Sequence, residues 1–185
     1  MKLKITIPEK LSEIKLSQYQ KFIRTTKDQE DEAFIARQMV GIFCGVPDKV
    51  VGQIKAKDYE SILNSISEVL QEKPEFKPTF KMDGIEYGFI PNLSDDITVD
   101  EKADLDTFLQ DVQKMDKAMG VMYRPIKLKK KGGYLITDYE GDNVGLDVGL
   151  DIAFGANFFL GNLMSDLLSY TQNFIKEEVV RNPKV

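Results

Sequence analysis

The chain has 185 residues, 42% hydrophobic and 30% charged; this suits one folded domain burying about 70% of its extended-chain surface and excludes a disordered chain. A formal net charge of −5 argues against a broad phosphate-gripping surface, and the complete lack of histidine removes the usual neutral-pH acid–base group and the commonest transition-metal ligand. Cys44 is the only cysteine, so no intrachain disulfide can form, and its neighbours Ile42, Phe43 and Val46 suit a buried thiol.

Residues 2–7 alternate Leu3, Ile5 and Ile7 with Lys2, Lys4 and Thr6, the period of a half-buried strand, closed by Pro8. Ser17 is placed to cap a helix over residues 18–26, and the acidic run from Asp28 opens a second over residues 31–44 that Gly45 and Pro47 stop. A third helix is expected over residues 57–72, with Ile62, Leu63, Ile66, Val69 and Leu70 on one side. The period then changes. Phe80 and Met82 lead into Asp83-Gly84, a type I′ turn pair, and Ile85, Tyr87 and Phe89 alternate on the way out, which predicts a hairpin. A helix follows over residues 100–119, then a second hairpin in which Tyr134, Leu135 and Ile136 follow Gly132-Gly133.

The last segment, residues 147–176, predicts a helix about 45 Å long at 1.5 Å per residue. Gly145, Gly149, Ala153, Asn157, Gly161, Ser165, Ser169 and Asn173 recur at every fourth position, a lane of small side chains between broad apolar flanks. The ordinary behaviour of hydrophobic helices puts this lane in the monomer's own core. A subunit interface through Gly149, Ala153, Phe158, Phe159 and Gly161 is the alternative. Its most apolar part, residues 152–164, is bracketed by Asp151 and Asp166 and falls short of the ~20 residues a bilayer requires, so no membrane contact is expected. The apolar run at the N-terminus is too short for a signal-peptide core, which suggests a cytoplasmic chain. The expected fold is α+β: one mainly helical domain over residues 1–185 with an N-terminal strand, one or two β-hairpins and a long buried C-terminal helix, in which residues 123–143 allow an extended hairpin arm.

Three constellations carry chemistry in principle. Residues 138–143 gather oxygen ligands around Gly141, but the spacing does not match a calcium loop, and a solvated turn is the simpler reading. Asp95, Asp96, Asp100 and Glu101 suit a helix N-terminus better than a magnesium site, since no nucleophile or base stands beside them. Lys127, Lys129, Lys130 and Lys131 form a dense basic patch whose default is a solvated hairpin tip; the sharper reading is contact with phosphate or with the acidic face of a neighbouring subunit.

Several phrases look familiar as a set: Ile5-Thr6-Ile7-Pro8-Glu9 with Leu16-Ser17-Gln18-Tyr19-Gln20-Lys21-Phe22, then Glu86-Tyr87-Gly88-Phe89-Ile90-Pro91-Asn92-Leu93, Tyr123-Arg124-Pro125-Ile126, and the run from Asp151 to Leu163. Their order resembles small virion-module structural proteins of tailed bacteriophages, especially crAss-like phages, over nearly the whole chain. The resemblance implies a non-enzymatic virion structural protein, a subunit of a ring-like collar or head-tail connector, made in the host cytoplasm and carried in the virion. Its implied partners are copies of itself in a ring, portal and other connector or tail proteins, and incidentally packaged DNA. No catalytic residue, cofactor or metal comes with it. A phage assembly chaperone absent from the mature particle is the alternative, and a metal-assisted hydrolase built on the carboxylates near Asp95 or Asp138 is a third reading.

Overall fold

In a computed structural model of the chain, which describes residues 5–141 and 145–163, a 3₁₀ turn (Leu11–Glu13) leads into helix α1 (Leu16–Thr26). Ser17, expected to cap this helix, lies inside its first turn. Its backbone N–H and hydroxyl donate to the Asp147 carboxylate at 2.8 and 2.9 Å, and the Lys15 N–H donates to Gln18 Oε1 at 2.9 Å. A distant carboxylate thus replaces the local cap, satisfying a free helical N–H and sitting at the positive end of the helix dipole.

Helix α2 (Glu32–Phe43) follows the expectation: the Asp31 side chain accepts from the Ala33 and Phe34 N–H groups at 2.9 and 3.2 Å, and Gly45 turns the chain away with a φ of 64°. Cys44, at its C-terminal end, is half-buried, and burial raises its thiol pKa. After the single turn α3 (Asp48–Val51), helix α4 (Ala56–Leu70) buries Ile62, Ile66 and Val69, the i, i+4, i+7 spacing of one helical face. Phe22 of α1 meets Phe43 of α2 with ring centroids 5.2 Å apart.

Among the described residues the strands form one antiparallel sheet in the order β1 (Thr79–Met82), β2 (Ile85–Phe89), β3 (Tyr123–Lys130), β4 (Gly133–Ile136). The first hairpin turns where expected: Met82 pairs with Ile85, and Asp83 and Gly84 both carry positive φ, 51° and 79°, as a type I′ turn requires. The second hairpin also forms. Strand β3 changes partner along its length: residues 123–125 pair with β2, whereas residues 126–130 pair with β4, with a bulge between Ile126 and Leu128. The far half of β3 and all of β4 therefore make a two-stranded ribbon. Tyr134 pins it down, its single hydroxyl proton shared between the Phe89 and Pro78 carbonyl oxygens at 2.9 and 3.0 Å.

The single helix expected over residues 100–119 is broken. After the short α5 (Leu93–Asp96), α6 (Val99–Phe108) ends, a 3₁₀ turn (Val112–Lys114) intervenes, and α7 (Met115–Met122) runs directly into β3. Asp111 causes the break locally, its carboxylate accepting from the Gln113 N–H at 2.9 Å. Gln20 and Gln113 hold it from α1: Gln20 Nε2 donates to the Val112 carbonyl and Gln113 Nε2 to the Gln20 carbonyl, both at 3.0 Å.

Residues 150–163 are helical (α8), and the remainder of the expected helix, with Ser165, Ser169 and Asn173, lies outside the described residues. Its crowded small residue is Gly155, where a Cβ would lie 2.6 Å from the Glu75 carbonyl oxygen. Ala153 and Ala156 are fully buried beside it. At Gly161, expected to be a point of close packing, nothing among the described residues lies within 4 Å of such a Cβ. The lane is therefore not one seam: neighbours approach α8 from different sides, with Glu75 and Phe76 against Gly155 and Phe159, and Tyr19 against Phe154. The N-terminal strand does not form in residues 5–9, which are irregular; residues 1–4 lie outside the described residues. Among the described residues Ile7 packs on the core without a ladder partner, so alternation found burial but no neighbouring strand there. The fold is α+β and mainly helical.

Gly155→Ala should lower stability by about 1–3 kcal/mol through overpacking against a backbone that cannot give way. Gly161→Ala should change it by no more than about 1 kcal/mol, in the stabilising direction. Urea unfolding of the two variants checks this, and equal losses would restore the single lane. Gly84→Val should destabilise by on the order of 1 kcal/mol or more, because Val at positive φ is strained; an unchanged melting curve would contradict the turn.

Candidate functional site

Where α6 begins beside the sheet, residues 98–101 form a capping box: the Thr98 N–H donates to Glu101 Oε2 at 2.6 Å, and the Glu101 N–H donates to Thr98 Oγ1 at 3.3 Å. The other carboxylate oxygen of Glu101 accepts from Arg124 Nη1 of β3. Both side chains are withdrawn from solvent, Glu101 to 2% exposure and Arg124 to 12%. Burial alone would favour the neutral acid; hydrogen bonds from Thr98 and Arg124, with the charge of Arg124, outweigh it and hold the Glu101 pKa below its usual value. The Arg124 guanidinium lies 5.8 Å from the centre of the Tyr139 ring, and Tyr139 donates its hydroxyl to Asp104. Among the described residues Arg124 Nε is buried without a hydrogen-bond partner.

This pair floors a cleft of 520 Å³. Ile90, Pro91, Leu135 and Ile136 supply apolar lining, while Asp96, Asp100 and Asp138 bring carboxylates. Val99, between lining residues Thr98 and Asp100, is 85% exposed. Its size lies within the ~300–1,000 Å³ typical of recognition clefts. The pair's chemistry suits position more than proton transfer, since Glu101 is held ionised with both oxygens engaged and an arginine stays charged. Among the described residues, no group of three or more His, Cys, Asp or Glu side chains converges to hold a metal.

The lysines singled out in the sequence fall on the ribbon beside this cleft and divide into two kinds. Lys127 pairs with Asp138 at 2.7 Å and Lys129 with Glu86 at 2.8 Å. These contacts lower the carboxyl pKa of both partners. Lys130 and Lys131, at the tip, are exposed and form no ion pair among the described residues. Leu128 and Leu135 face each other across the ribbon, 52% and 45% exposed.

The helix candidates are placed differently. Ala153 is fully buried, Phe159 stacks on Phe76 with ring centroids 4.1 Å apart, and Gly149 packs against the Ser12 backbone, so these three serve the chain's own core. Phe158, at 46% exposure, and Gly161 lie on the open side of α8. Sequence reasoning missed Glu101 as a buried anchor and did not single out Arg124, Tyr139, Leu128 or Leu135. The Thr98-Val99-Asp100-Glu101 spacing was the available signal for Glu101; its partner, 23 residues on, left no local trace.

Arg124→Met should destabilise the protein by about 3–5 kcal/mol, because it strands a buried carboxylate. A depressed carboxyl pKa contributes stability above the unfolded value of about 4.3, and that contribution fades as pH falls through the folded value. Unfolding measured from pH 7 to pH 3 should therefore show an acid-side loss that is smaller in Glu101→Gln; identical pH profiles would contradict the coupling.

The chain matches no protein-family model, no curated protein and no solved structure.

Proposed function

We propose that this chain is a non-enzymatic structural protein of a tailed-phage virion, a ring, collar or head-tail connector subunit acting through protein–protein contacts. The observation that carries the reading is the grouping of contact features in one region. A two-stranded ribbon with exposed Leu128, Leu135, Lys130 and Lys131 lies beside a cleft with apolar walls and carboxylates at its edge. Exposed apolar side chains next to unpaired charge suit a recognition surface. The chemistry of the cleft supports the same reading, because its central ion pair is engaged internally. The phage setting comes from the resemblance of the quoted sequence phrases.

Mass spectrometry of purified virions tests the proposal. A ring subunit should be present in multiple copies per particle, incorporated alongside portal and tail proteins. A chain abundant in infected cells and missing from virions would instead be the assembly chaperone.

A further inference from the structure

The ribbon and the cleft are complementary in chemistry and do not satisfy each other among the described residues of one molecule. Lys130 and Lys131 have no acidic partner, and Asp96 and Asp100, both exposed at the cleft, have no cationic one among the described residues. Leu135 is shared: it forms part of the cleft and pairs across the ribbon with Leu128. From Leu135 the paired strand leads away to the Lys131-Gly132 turn, on the order of 10 Å at ~3.4 Å per residue. A paired strand does not fold back over that distance, in keeping with the absence of any ion pair between Lys130 or Lys131 and the cleft carboxylates among the described residues.

We propose that the β3–β4 ribbon tip of one copy docks in the cleft of a second copy, with Lys130 and Lys131 meeting Asp96 and Asp100. The exposed Leu128 and Val99 add apolar surface to the joint. Each copy carries both a donor and an acceptor surface, so copies can join head-to-tail, and such a chain closes into a ring when the rotation per copy permits. This deepens the ring-subunit reading and rests on it for its biological setting. Solvent-exposed lysine–carboxylate pairs contribute little singly, which leaves register and partner choice to the charges and cohesion to the apolar contact and to repetition.

Sedimentation velocity of the purified full chain over a range of concentration and salt tests the joint. The wild-type protein should self-associate. K130Q/K131Q and D96N/D100N should each weaken association by roughly tenfold or more, and rising salt should weaken the wild-type contact. An equimolar mixture of the two neutralised variants should stop at a heterodimer, since only one intact donor and one intact acceptor remain to meet. A wild-type chain that stays monomeric, neutralised variants that assemble like wild type, or a mixture that fails to pair would each overturn the proposal. Should neutralisation disturb folding, the charge-swapped variants K131E and D96K keep the experiment decisive: each alone should remain dissociated and their mixture should associate. The two readings fail separately. A subunit found in virions whose neutralised variants assemble normally loses this joint and keeps its proposed function, whereas an intact joint in a chain missing from virions does the reverse.

Discussion

Two backbone hydrogen bonds hold the start of α1 to the start of α8. The Leu16 N–H donates to the Val148 carbonyl and the Leu150 N–H to the Ile14 carbonyl, both at 2.9 Å. Ile14, Leu16, Val148 and Leu150 are each 1% exposed or less. A buried backbone group without a partner costs about 1–3 kcal/mol, so neither segment can be buried unless the other arrives. The same junction places Asp147 over the N-terminus of α1 and sets the direction in which α8 enters the core. It also reaches α7, because the Leu146 N–H donates to the Asp116 carbonyl at 2.9 Å while the Asp116 carboxylate accepts from Gln20 at 3.0 Å.

The position of the cleft follows from that anchoring. Helix α7 passes without a loop into β3, so the buried Tyr123, whose hydroxyl donates to the Lys77 carbonyl at 2.8 Å, starts the strand in fixed register and Arg124 comes next. Arg124 then meets Glu101 and aligns α6 against the sheet. A buried ion pair of this kind is a poor source of net stability, because desolvation offsets much of the attraction. Its value here is geometric: it fixes the separation between a helix end and a strand, and hence the width of the cleft between them.

What was legible in the sequence was what short-range physics decides. Helices α2 and α4 and both hairpins could be read because apolar period, an aspartate cap and glycine turns all lie within a few residues of what they control. The rest depended on partners far along the chain. Ser17 has the chemistry of a cap, yet Asp147 supplies the oxygen; the helix over residues 100–119 has a continuous apolar pattern, yet Asp111 and the paired glutamines divide it. The small-residue lane is closely packed at Gly145, Gly149 and Ala153 and open at Gly161, while the closest approach on α8 falls at Gly155 outside it, since periodicity tells which residues share a face but not which neighbouring backbone comes close. The lysine patch was visible as charge. Its division into members with and without an ion pair among the described residues depended on Glu86 and Asp138.

Gly88 and Tyr134 illustrate a restriction of another kind. A Cβ built on Gly88 would overlap the Tyr134 ring, which crosses from β4 to cover the glycine and place its hydroxyl on the Phe89 and Pro78 carbonyls. Neither residue's identity is explained by its own strand. A descendant sequence could acquire a side chain at position 88 by giving up the aromatic ring at 134, and with it the contact that holds the ribbon to the body of the sheet. The two positions therefore form one unit of inheritance, in which variation at a β2 glycine is restrained by the anchoring of a hairpin formed much later in the chain.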